Sequence, residues 1–197
     1  MLTKNTEQLK QRVAEHVAAD SIIQGIYWDT VNLRGCFIGC LAHNDDPSIN
    51  EATYGLPIAV QRIAENIFEA IPADEAKAFF AALPDAVGRD GKDLSKVHWQ
   101  FLAAELRSLP PQPNHIQAVI EPVIAGMDLL AQGLDWPVVA AWAAADAADA
   151  AEAAEAVALA ARAAARAAEA ARAAARLRQR DLLLQLIAAA PVVEGGQ

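Results

Sequence analysis

The sequence predicts an all-α protein: an irregular helical bundle carrying a very long alanine-, arginine- and glutamate-rich helix, or helix pair, towards the end of the chain. Apolar residues recur at three- and four-residue intervals through the first two thirds, the period of helices that bury one face. No proline or glycine falls between Pro137 and Pro191 to stop a helix. Alanine, the strongest helix former, dominates that stretch.

The elements follow in order. Leu9, Val13 and Val17 mark one face of a helix from about Thr6 to Gln24, with Gly25 as its stop. His16, Asp20 and Gln24 form a second stripe on it at i, i+4 and i+8. Residues 25–34, with Tyr27, Trp28, Asp29 and Asn32, fit a turn or a short extended piece equally well. Gly35 to His43 reads as a short apolar helix, and Ser48 with Glu51 as a capping box for a brief helical turn. From Pro57, the residues Val60, Ile63, Ala64, Ile67, Phe68 and Ile71 form an amphipathic helix ended by Pro72. A further helix, Ala73 to Leu83, is built round Phe79 and Phe80 and stopped by Pro84, and Gly88 to Gly91 is a surface loop. Asp93 caps a helix from Leu94 to Ser108 that turns Val97, His98, Phe101 and Leu102 inward. Pro110, Pro111 and Pro113 make a rigid linker, Asn114 caps the next helix, and Gly133 ends it.

Asp135, Trp136 and Pro137 then restart helix. Run without a break to Pro191, it would be roughly 80 Å long, against a radius of gyration of about 16 Å for a compact chain of this size. The expected organisation is therefore a helical globular domain over 1–134 and an alanine-rich segment over 135–197 that packs on it or on a second subunit. Acidic residues (Asp146, Asp149, Glu152, Glu155) precede basic ones (Arg162, Arg166, Arg172, Arg176), which suits the helix dipole and an antiparallel pairing. A homodimer through this helix is the expected assembly. The 54% hydrophobic content overstates the core, because much of it is alanine, which buries little area.

A net charge of −9 argues against direct binding of nucleic acid, which calls for a basic face. No apolar run is long enough to cross a bilayer, and two cysteines without a leader pattern suggest a cytoplasmic protein with reduced thiols.

Reactive side chains concentrate in the segment from Arg34 to Asp46. On a helix, Cys36, Cys40 and His43 would share one face, a geometry open to a thiolate beside an imidazole or to three ligands of a zinc ion. His16 or His43 as base and Asp20 as its orienter complete the sharpest enzymatic reading. The bland reading is preferred: free cysteines behave as small hydrophobes, and Gly35, Cys36, Gly39 and Cys40 offer a small-residue face against which another helix can pack closely. On that reading no metal and no cofactor is expected.

Gly35-Cys-Phe-Ile-Gly-Cys-Leu-Ala-His43, followed by Tyr54-Gly-Leu-Pro57 and Arg62-Ile-Ala-Glu-Asn-Ile-Phe68, resembles a loose group of uncharacterised alanine-rich helical proteins of bacteriophages and high-GC bacteria. The resemblance implies a mobile-element origin and no particular chemistry. The expected function is a non-enzymatic helical interaction module, such as an accessory protein that binds a host factor. The alternatives are an acidic inhibitor or decoy of a nucleic-acid-binding system, and a Cys/His-dependent enzyme or metal-binding protein centred on Cys36, Cys40 and His43.

Overall fold

A computed structural model of the protein describes residues 1–136 and 169–193, where eight helices and one two-stranded sheet make up the regular structure. Among the described residues no helix is long and apolar enough to cross a membrane. The long helix expected after Pro137 lies outside them as far as residue 168. The chain divides into two compact units, residues 1–97 with 175–197, and residues 98–174.

In the first unit, α1 (Thr6–Ala18) buries Leu9, Val13 and His16 and packs on α2 (Phe37–Ala42) and α5 (Ala73–Val87). It ends earlier than the apolar period suggests. Val17 is exposed, Asp20 takes a positive φ of 49°, and Gln24 lies beyond the helix, giving its side-chain amide to the carbonyls of Phe68 and Ile71. The expected polar stripe is thus broken, because the chain leaves the helix before its second and third members. Residues 25–34 resolve into a hairpin of β1 (Trp28–Asp29) and β2 (Arg34–Gly35). Asp29 sets its turn, accepting from the backbone amides of Val31 and Asn32 and from the Asn32 side chain. Those bonds, from Asn32 first, hold its carboxyl down to about 2.

The helix α3 (Pro47–Tyr54) is capped by Asp46, which accepts from the Ser48 amide, and proline occupies its first turn. Ser48 is therefore not the cap; Glu51 instead accepts from the Ile58 amide at the start of α4 (Ile58–Ala70). Buried Asn50 and Gln61 stitch these two helices together: Asn50 donates to the Gln61 oxygen, and the Gln61 amide donates to the carbonyls of Pro47 and Leu56. α5 continues through Pro84 to Val87, since a proline in the last turn costs one hydrogen bond while its own carbonyl still accepts from Gly88.

Phe37 stands at the centre of the core, its ring 5.3 to 6.1 Å from those of Phe68, Phe79 and Phe80. The last described helix, α8 (Glu169–Ala189), closes this core, because Leu183 and Ile187 meet Phe37, Phe79 and Leu83 round a small apolar cavity. Lys92 secures it. The ammonium is buried and donates to Ala86, Ile187 and Ala188, carbonyls at the negative ends of α5 and α8. The loop after α5 is thus more than a surface excursion, and its Asp90 also accepts from Thr6 N at the start of α1.

α6 (Val97–Arg107), which lies in the second unit from His98 on, begins three residues later than Leu94, and Asp93 caps only the turn before it through Ser95. α7 (Asn114–Gln132) runs through Pro122 and ends on Gly133 in the left-handed conformation. The chain then returns, and the Trp136 ring lies where a Cβ at Gly126 would be.

Candidate functional site

The segment Gly35 to Cys40 is shaped by what lies on it. The carbonyl of Tyr27, on the approach to β1, sits so close that a Cβ at either Gly35 or Gly39 would overlap it. The small-residue face accordingly receives the hairpin backbone, not a helix. The Cys36 amide donates to the carbonyls of Ile26 and Tyr27, which fastens the hairpin to the start of α2.

Both thiols are sealed. Cys36 and Cys40 are 1% and 0% exposed, which leaves an external electrophile no approach. The Cys40 sulfur donates to the carbonyl of Gly35 at 3.1 Å, and burial pushes its thiol up to about 12. Burial, reinforced by the carboxylate of Glu65, pushes the Cys36 thiol up as well. Glu65 is itself buried, its acidity weakened by desolvation, and it accepts from the Ile38 amide at 3.0 Å. It serves as a cap for α2 supplied by another helix.

Among the described residues, the cysteine, histidine and carboxylate atoms that converge as metal ligands do are those of Cys36, Glu65 and Glu69, within 4.8 Å. This differs from the candidate set of Cys36, Cys40 and His43, which the sequence offered as the alternative to no metal at all. Glu65 is held by the Ile38 amide and Glu69 by the Gly25 amide, so both carboxylates already have structural partners.

His43 ends α2 in the left-handed conformation, which turns its ring away from the two cysteines and towards α1. There its Nε2 meets Nε2 of His16 at 3.0 Å. Trp28 stacks on the other side of the relationship, 4.4 Å from the His43 ring centre and 10° from parallel. Arg12, one helical turn before His16, places Nη1 2.8 Å from Nδ1 and 2.5 Å from Nε2 of His43. A guanidinium can only donate, so His43 must present a lone pair and is neutral in this arrangement. On the far side, His16 Nδ1 lies 2.7 Å from the Ser21 hydroxyl, which lies 3.3 Å from the His16 carbonyl. With that hydroxyl donating to the carbonyl, His16 carries its proton on Nδ1 and Nε2 accepts from His43.

Electrostatics agree with this assignment. Burial first, then His43 and Arg12, hold His16 down to about 4, and burial followed by Arg12 lowers His43. Asp20 takes no part: its carboxylate pairs with Lys77 at 2.5 Å. The proposed triad of Cys36 or Cys40, a histidine and Asp20 is therefore separated into a sealed thiol pair, a histidine pair and an exposed ion pair.

The residues that complete the histidine pair, Arg12, Ser21 and Trp28, carried little signal in the sequence. Arg12 stands at i−4 from His16, where a helix brings it alongside, but the spacing alone does not distinguish it from any surface arginine. Beside the pair, a cleft of about 270 Å³ is lined by Tyr27, Trp28, Thr30, His43 and Asp45, among others. Neither a protein-family model, nor a curated protein, nor a solved structure matches this chain.

Proposed function

We propose that the protein is a non-enzymatic interaction module that docks a basic partner protein on the hairpin of β1 and β2. The observation that carries this reading is the display of Ile26, Tyr27, Val31 and Leu33, respectively 44%, 43%, 86% and 61% exposed, on and beside one short turn. Large apolar side chains grouped in this way on a surface mark an interaction site more often than a mere connection. The turn is also rigid. Asp29 holds it from within, Leu33 is kept at a positive φ of 51°, and the hairpin base is bound to α2. Rigidity of this kind reduces the ordering cost of binding, and strain in a non-glycine residue persists where the surroundings maintain it.

The partner's chemistry follows from charge. A chain of net charge −9 repels acidic surfaces and steers basic ones towards it. A host factor bound by a mobile-element accessory protein would fit this reading. Thiol chemistry has less support, because nucleophilic cysteines need an exposed, electropositive setting and these two are enclosed in apolar surroundings. Self-association through the alanine-rich segment is a separate proposal.

Selection of binders from a random displayed-peptide library tests the docking face. Peptides rich in basic and apolar residues are expected, binding the wild type at least about tenfold more tightly than a Val31→Asp, Leu33→Asp double variant, a difference of ~1.4 kcal/mol. Acidic binders, or binders indifferent to the two substitutions, would overturn the reading. So would a dimer in light scattering that the double variant dissociates, since the occupant would then be a second copy.

A further inference from the structure

We infer that the cleft beside the hairpin is a pocket for a guanidinium group, the side chain of an arginine on the docking partner. The inference rests on the proposed docking face and names the chemistry that anchors it. Tyr27 contributes to both, being 43% exposed on the hairpin and also a wall of the cleft.

The polar groups round the cleft point to a cation. Asp45 lines it, and its carboxylate has no hydrogen bond or ion pair among the described residues. Asp46, next to it in sequence, caps α3, and Asp29 on the hairpin holds the turn. Asp45 is thus the carboxylate left for a ligand. Tyr27 and Trp28 supply aromatic walls, one face of Trp28 being already covered by His43, and a planar guanidinium can stack on an aromatic ring while it directs two parallel N–H groups at a carboxylate. Thr30 adds a hydroxyl acceptor. His43 itself adds no positive charge, because its contact with the Arg12 guanidinium requires a neutral ring.

Two arginines of the chain already donate to polar atoms of the lining residues, and theirs are the positive charges that Asp45 must outweigh. Arg62 donates to the Tyr27 hydroxyl at 3.0 Å, and Arg12 donates to the His43 ring. Neither lines the cleft itself. An anion would meet Asp45 directly, and a purely apolar group would leave that carboxylate desolvated without a partner.

Titration with N-acetyl-arginine amide, followed through the Trp28 indole N–H in NMR spectra, tests the pocket. The expected result is a saturable shift, with N-acetyl-citrulline amide, nearly isosteric and uncharged, binding at least about tenfold more weakly. Asp45→Asn should weaken arginine binding by a similar factor, and the fold should survive because Asp45 is exposed and holds no other residue. Acidification below the ordinary histidine range should weaken binding further as His43 gains a proton. No saturable shift, equal binding of citrulline, indifference to Asp45→Asn, or preference for N-acetyl-glutamate amide would each overturn the inference. If the arginine titration fails while selected peptides still depend on Val31 and Leu33, the pocket is wrong and the docking face stands.

Discussion

Nε2 of His16 and Nε2 of His43 face each other across 3.0 Å, between an arginine that can only donate and a serine that closes back on the His16 carbonyl. One proton fits between the two nitrogens. A second would make His16 an imidazolium whose Nε2–H meets the Nε2–H of His43 with Arg12 alongside, so the arrangement exists only while both rings are neutral.

Stability should therefore fall with acid through this pair. His16 titrates near 6.5 when unfolded and at about 4 when folded, so between those values the unfolded chain binds more protons. The contribution is fully present above about pH 6.5 and is lost as the pH falls towards 4, a loss on the order of 3 kcal/mol. Urea unfolding at several pH values in that window should show the midpoint declining. In His16→Gln the decline should be shallower, although the variant starts from lower stability at neutral pH.

The two thiols should react only when the core opens. Cys36 and Cys40 are buried, and both thiols are pushed up in pKa, chiefly by burial, so the thiolate is scarce and unreachable. Alkylation by iodoacetamide should be slow in buffer and rapid in denaturant, with both cysteines labelled together. Fast labelling of one cysteine in the native state would contradict the sealed geometry.

Gly39→Ala should destabilise by at least about 1–3 kcal/mol, the usual cost of forcing a methyl group into a filled site. The added Cβ would meet the Tyr27 carbonyl, which is backbone and cannot move without lifting the hairpin from α2. Thermal unfolding measures the loss. The same variant should weaken peptide binding at Val31 and Leu33, since the hairpin base moves.

Lys92→Met keeps the length of the side chain and removes its donors. Three carbonyls at the ends of α5 and α8 would lose their partner, at a cost of about 1–3 kcal/mol for a buried polar group left unsatisfied. Hydrogen exchange should quicken over residues 183–189 more than over α1. Equal protection in both proteins would show that Leu183 and Ile187 hold the helix without the lysine.

Much of the candidate site was legible only as composition. The spacing of Cys36, Cys40 and His43 singled out this segment but could not say which way each side chain turns. That depends on His43 adopting the left-handed conformation at the end of α2, which carries its ring to α1 while the sulfurs stay in the core. Glu65 shows the same limit from the other direction: on α4 it reads as an outward charge, and only the neighbouring start of α2 turns it into a buried cap.

Local periodicity was enough to determine the mostly helical class and the apolar spacing of α1, α4, α5 and α7, because helix propensity and apolar spacing act within a few turns of chain, whereas at Gly35 and Gly39 it marked a close contact without giving its partner, the hairpin backbone. Tertiary structure decided the rest. It ended α1 at Ala18, folded residues 28–35 into a hairpin, brought Leu183 and Ile187 back to Phe37, and set His16 against His43. Each of those outcomes depends on partners distant in sequence, whose burial and hydrogen bonds outweigh local preference, and no spacing along the chain encodes them directly.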